Sequence, residues 1–105
     1  MSNIVNDKAT LIHLISNNRK LIQKFGVIKL GLFGSFVRDE ANSDSDIDLL
    51  VEFQENKKTY KNFIQLAYFL ESLLGRKVEL VTLKSISQFI KPYITKEVEF
   101  IQINA

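Results

Sequence analysis

Short apolar runs alternate with longer stretches of helical period along this chain, and glycines separate them. Val27–Phe33, Ile47–Phe53 and 77–82 are brief and rich in Val, Ile, Leu and Phe, which reads as three strands. Between the second and third, Tyr60, Phe63, Leu66, Ala67, Leu70, Leu73 and Leu74 fall at helical spacing, with Gly75 as a natural stop. Ahead of the first, Leu11, Leu14, Ile15, Leu21, Ile22 and Phe25 form another stripe, read as one helix from an Asp7 cap to Gly26. Gly31, inside the first strand, marks a close backbone approach. Segments 35–40 and 85–90 read as short helices, and 54–59 as loop. Pro92 opens a further helix to about Val98, and 100–103 suits a frayed helix or a short strand equally. The order α-β-α-β-α-β-α predicts an α/β (α+β) fold with helices packed on a small sheet.

Composition sets the outer limits. With 105 residues, one domain spanning 1–105 is expected. A hydrophobic share of 46% and a charged share of 25% are ordinary for a soluble globular chain. The net charge of +2 is too small for a nucleic-acid footprint, and Lys57, Lys58 and Lys61, the only local basic cluster, are flanked by Glu52 and Glu55. No direct nucleic-acid partner is therefore expected. The absence of cysteine excludes disulfides and thiolate metal sites and suits a reducing cytoplasm. The start, Met1 to Lys8, lacks the layout of a signal peptide, and the most apolar window, 63–74, is broken by Gln65, Glu71 and Ser72. A cytoplasmic protein without a membrane span is the expectation.

Two patches carry chemistry. The first is Gly34-Ser35-Phe36-Val37-Arg38, at the end of strand one. If a helix starts there, free N–H groups beside a glycine make an anion site. The Ser35 hydroxyl can donate to a phosphate oxygen, and Arg38 can clamp a phosphate. The second is Ser45-Asp46-Ile47-Asp48-Leu49-Leu50-Val51. Asp46 and Asp48, two apart at the mouth of a strand, point to one face. Two such carboxylates repel unless a cation lies between them, and Mg²⁺ takes one or two carboxylates and completes its shell with phosphates and water. Asp44 is a candidate outer helper. Glu79, in the third strand on the face opposite Val78 and Leu80, is a third carboxylate for a second metal or for general base work. Were strands one and two antiparallel neighbours, phosphate turn and carboxylates would share a cleft.

Each residue also has an ordinary reading. The two aspartates suit a turn, Ser35 a helix cap and Glu79 an exposed edge strand. Arg38 suits an ion pair with Asp39, Asp44 or Asp46, and His13 lies off the apolar stripe as a surface residue.

The compound pattern Gly-Ser-x-x-Arg followed by Ser-Asp-x-Asp, here Gly34, Ser35, Arg38, Ser45, Asp46 and Asp48, resembles the signature of the DNA polymerase β-like nucleotidyltransferases, and within them the minimal nucleotidyltransferases. The resemblance extends over nearly the whole chain and implies the nucleotidyltransferase fold, with a small mixed sheet of three or more strands. It implies that Gly34, Ser35, Arg38 and Ser45 contact the nucleotide. Asp46, Asp48 and Glu79 would be the catalytic carboxylates and hold magnesium, two ions in all, with ATP as substrate. The third position in such chains is usually aspartate. Glu79 moves the carboxylate by roughly 1.5 Å, and Mg²⁺ accepts little geometric error, so nucleotide binding is the safer expectation than turnover.

The resemblance further implies an antitoxin that binds a HEPN-domain ribonuclease toxin in a hetero-oligomer and transfers AMP to a toxin tyrosine. A chain this short leaves no room for an acceptor-binding domain, which favours a protein acceptor docked on the cleft. The alternatives are neutralisation by binding alone, and transfer to a small acceptor such as an antibiotic.

Overall fold

A computed structural model describes residues 4–103. Met1–Asn3, part of the stretch read above for a leader, lies outside them. The elements are α1 (Lys8–Asn17), α2 (Arg19–Lys24), β1 (Val27–Phe33), β2 (Ile47–Phe53), α3 (Tyr60–Leu74), β3 (Val78–Val81), α4 (Lys91–Glu97) and β4 (Glu99–Ile101), with 3-10 turns at Glu55–Lys57 and Leu83–Ser85. The sheet order is β3-β2-β1-β4. β1 runs antiparallel to both β2 and β4, and β2 runs parallel to β3, so the sheet is mixed as expected.

Alternation along the strands divides the sheet into two faces. Leu30 and Leu32 of β1 sit opposite Val51 and Leu49 of β2. These four join Leu11, Ile15 and Ile22 of α1 and α2 and Leu66, Leu70 and Leu74 of α3 in one buried cluster. The other face carries Gly31, Phe33, Asp48, Leu50 and Glu79 by the same alternation. Burial of the helical leucines follows from their i, i+4, i+8 spacing in α3. Thr59 caps the start of that helix by accepting the Asn62 N–H at 3.1 Å. Gly75, at φ 70°, ends it in a left-handed turn.

Three details depart from the sequence reading, and a fourth settles an alternative it left open. The first stripe is two helices, broken at Asn18, whose side-chain amide donates to the Leu14 carbonyl at 2.8 Å. Asn18 stands at i+7 from Leu11, where a continuous stripe needs an apolar residue. Segment 35–40 is a chain of turns, not a helix. Phe36 and Val37 are both buried in it, and Asp39 adopts φ 58°, a left-handed conformation that a helix cannot continue through. Segment 85–90 is also turn, following a 3-10 turn in which Thr82 and Ser85 bond reciprocally. Residues 99–101 resolve as strand, because Gly31 faces Phe100 across the ladder. A Cβ on Gly31 would lie 2.5 Å from Val98 Cγ2, which confirms the close approach.

One side chain ties the connections together. Arg76, just past α3, donates to the carbonyls of Asn42 at 3.0 Å, Ser43 at 3.3 Å and Ser45 at 2.9 Å. It also donates to the Val5 carbonyl and to Asn6 Oδ1 and lies over the Phe36 ring, 5.2 Å from its centroid. The guanidinium fork suits so many carbonyls, and an ammonium does not. Arg76→Ala should cost about 2–3 kcal/mol, read as a lower urea midpoint at unchanged slope. Arg76→Lys should recover less than half of that loss.

Candidate active site

The register of β1 and β2 places Phe33 opposite Asp48. The next residue, Gly34, therefore turns directly against the Asp48 side chain. Gly34 has φ 79°, and a Cβ there would lie 2.1 Å from Asp48 Oδ2. Only glycine meets both the conformation and the space. Phe36 and Val37 anchor the turn in the core beneath, so the Gly34-Ser35 backbone is held from below. Ser35 is half-buried, and its hydroxyl is unengaged among the described residues.

Asp48 and Glu79 are register partners across the parallel β2/β3 pair, which places both on one face beside the turn. β3 is an edge strand and Glu79 is exposed, so the ordinary reading of its position and its membership of the site hold together. Asp46, half-exposed, precedes β2 by one residue. It is positioned by a turn in which Ser45 Oγ accepts the Asn42 N–H at 2.9 Å and Arg76 holds the Ser45 carbonyl. The Ser45 hydroxyl is thus engaged in building the turn that delivers Asp46. Asp44 is exposed in the same turn.

The crowding of acids shows in Asp48. Its carboxyl is pushed up from 3.8 to about 6, first by burial, then by the charges of Glu79 and Asp46, with Glu97 adding and Arg38 opposing. Among the described residues no group of three or more His, Asp or Glu side chains encloses a metal ion by itself. A half-buried carboxylate with two acidic neighbours and no complete cage fits Mg²⁺, which draws its remaining ligands from phosphate and water. Asp46 and Asp48 are the residues that would hold it, with Glu79 in register beside Asp48.

Arg38 does not pair with Asp39, Asp44 or Asp46. It donates from Nε to Glu40 at 2.9 Å and from Nη1 to Glu97 at 2.8 Å, and Glu40 and then Glu97 raise its pKa. Ser35 caps no helix, since none follows. Glu97 was invisible in the sequence: it lies 63 residues from Gly34 and 59 from Arg38, outside any local pattern. Arg76 gave no signal either, being one basic residue among fourteen Lys and Arg. His13 is exposed and pairs with Asn17 at 3.0 Å, away from the site.

Beside Gly34 a groove of about 650 Å³ is lined by Phe33, Arg38, Ile90, Tyr93, Ile94 and Glu97. A smaller cleft of about 200 Å³, between Val51, Phe53, Lys58 and Lys84, touches none of the motif residues.

A raised folded-state pKa means that Asp48 favours the folded chain below its ordinary value of 3.8 and that this contribution is lost as the pH rises through about 6. In chelator, Asp48→Asn should therefore stabilise the chain at pH 7.5 by on the order of 1 kcal/mol, reduced from the full value because the group is half exposed. The gain should show as a higher Tm and vanish near pH 4.

Residues 16–101 match the nucleotidyltransferase domain family. The chain is 42% identical over 88 residues to the protein adenylyltransferase MntA of Thermococcus cleftensis, covering 84% of this chain and 88% of that one. A solved chain described as a minimal nucleotidyltransferase superposes with TM-score 0.77 at 32% identity, over 90% of this chain and 95% of that one. The fold also recurs, at TM-score 0.60 and 23% identity, over 90% of this chain and 72% of a chain from the complex of tri-AMPylated Shewanella oneidensis HEPN toxin with MNT antitoxin. The chain belongs to the nucleotidyltransferase domain family, in its minimal form.

Proposed function

We propose that this chain transfers AMP from ATP to a tyrosine hydroxyl of a HEPN-domain toxin and thereby acts as its antitoxin. The observation that carries the reading is the seating of Gly34 against Asp48, with Glu79 in register beside it. A phosphate turn and a carboxylate set then share one cleft, at the meeting of β1 and β2. The 42% identity to a protein adenylyltransferase supports AMP as the group moved and protein as the acceptor. The toxin complex that shares this fold supports the partner.

In this reading the Gly34 N–H, the Ser35 hydroxyl and Arg38 bind phosphate oxygens and fix the chain of phosphates along the turn. Magnesium, when bound at Asp46 and Asp48, supplies neutralisation of the phosphate charge. The acceptor oxygen bonds to the α-phosphorus in line with the departing pyrophosphate. Glu79, exposed beside Asp48, takes the proton of that hydroxyl at its carboxylate. Phe36 and Val37 hold the turn still while this happens, which is the positional contribution of the fold.

A second reading, neutralisation by binding alone, is favoured by the exposure of Glu79 on an edge strand and by glutamate standing where aspartate is usual.

The test uses ATP labelled at the α-phosphate, Mg²⁺ and the purified toxin. Label should appear on the toxin, and Asp46→Asn should lower it by about 100-fold or more with an unchanged circular dichroism spectrum. An unlabelled toxin under conditions where the two chains bind would sink the transferase reading. If Asp46→Asn/Asp48→Asn still rescued growth against the toxin, binding alone would be sufficient.

A further inference from the structure

Glu97 closes α4, an element to which the Gly-Ser and Asp-x-Asp motifs make no reference. Both of its carboxylate oxygens are nonetheless engaged at the first motif. Oε2 accepts the Gly34 N–H at 2.7 Å and Oε1 accepts Arg38 Nη1 at 2.8 Å. These are two of the donors assigned above to phosphate oxygens. A carboxylate held between a backbone N–H and a guanidinium occupies an anion seat, with the short charge-assisted bonds that such a seat gives.

A phosphate oxygen that took the Gly34 N–H would lie where Oε2 lies. The seat cannot widen toward β2, because Asp48 Oδ2 already fills the space beside Gly34. A second anion next to Glu97 would also add charge to a cluster that already pushes Asp48 up. Glu97 and a phosphate therefore exclude each other.

The element that carries Glu97 is lightly held. Ile94 is the only buried side chain of α4. Phe89 is 87% exposed and Tyr93 75% exposed. The groove next to the turn gives the Glu97 side chain somewhere to go, while β4 stays paired with β1.

We propose that Glu97 is an internal competitor for nucleotide: it fills the anion seat at Gly34 and Arg38 in the free chain and leaves when a triphosphate is seated. The inference rests on the nucleotide reading of the turn. Its consequence is arithmetic. Apparent affinity falls by the fraction of molecules whose seat is open, so a seat open one time in ten weakens binding about tenfold. Glu97 is thus a residue that sets nucleotide affinity from outside the motif. The sign of its effect separates this role from two others. A Glu97 that helped ligate metal, or that merely held α4 in place, would weaken nucleotide binding when removed or leave it unchanged.

The experiment titrates a fluorescent ATP analogue into wild type, Glu97→Ala and Glu97→Gln, in chelator and in Mg²⁺, with Tm recorded for each. Glu97→Ala should bind about five- to fiftyfold more tightly than wild type, even if its Tm falls. Glu97→Gln, which keeps an acceptor oxygen but no charge, should lie between them and carries the test if the alanine variant does not fold. Equal or weaker binding by both variants, with wild type still binding, overturns the competitor and leaves the nucleotide reading intact. No binding by any folded version overturns the nucleotide reading and the competitor with it.

Discussion

The contact between Gly34 and the Asp48 carboxylate is the constraint on which the rest of the site depends. It exists because the antiparallel pairing of β1 and β2 sets Phe33 against Asp48, so the chain must turn at once and over an acidic side chain. A left-handed glycine is the only residue that fits. The turn then needs footing, which Phe36 and Val37 provide in the core. Asp46 needs aiming, which the 42–45 turn and Arg76 provide. Function here is a by-product of register: shift the ladder by one residue and Asp48 faces the core.

The same contact organises the electrostatics. A half-buried carboxylate with Glu79, Asp46 and Glu97 around it holds its proton to about pH 6. Such a cluster is costly in the free chain and is relieved by a cation. Opposite it, Gly34 and Arg38 form an anion seat that a carboxylate of the chain itself occupies. The site thus separates into an acidic half that lacks a cation and a donor half already carrying an anion, which is the polarity a metal-bound triphosphate would complete.

Much of this was legible in the sequence, and the boundary between what was and was not is physical. α3 was readable because its period and its Gly75 stop act within one turn of chain. β1 and β2 were readable from their composition. The break at Asn18 was written in the stripe as a missing apolar residue. Segment 35–40 misled because a serine after a glycine is also how helices begin, whereas here a run of turns ends with Asp39 in the left-handed region. Glu97 and Arg76 were beyond reach, and the choice of strand over helix near Phe100 stayed open, since each is decided by partners distant in sequence.

The central claim is that the Gly34-Ser35 turn seats phosphate while Asp46 and Asp48 take the metal. Its most direct test is a crystal structure with a non-hydrolysable ATP analogue and Mn²⁺, read by anomalous scattering. The account expects an anomalous peak between the Asp46 and Asp48 carboxylates, with phosphate oxygens on the Gly34 N–H and the Ser35 hydroxyl. Phosphates in the cleft between Val51 and Lys84, or a metal peak away from both aspartates, would contradict it.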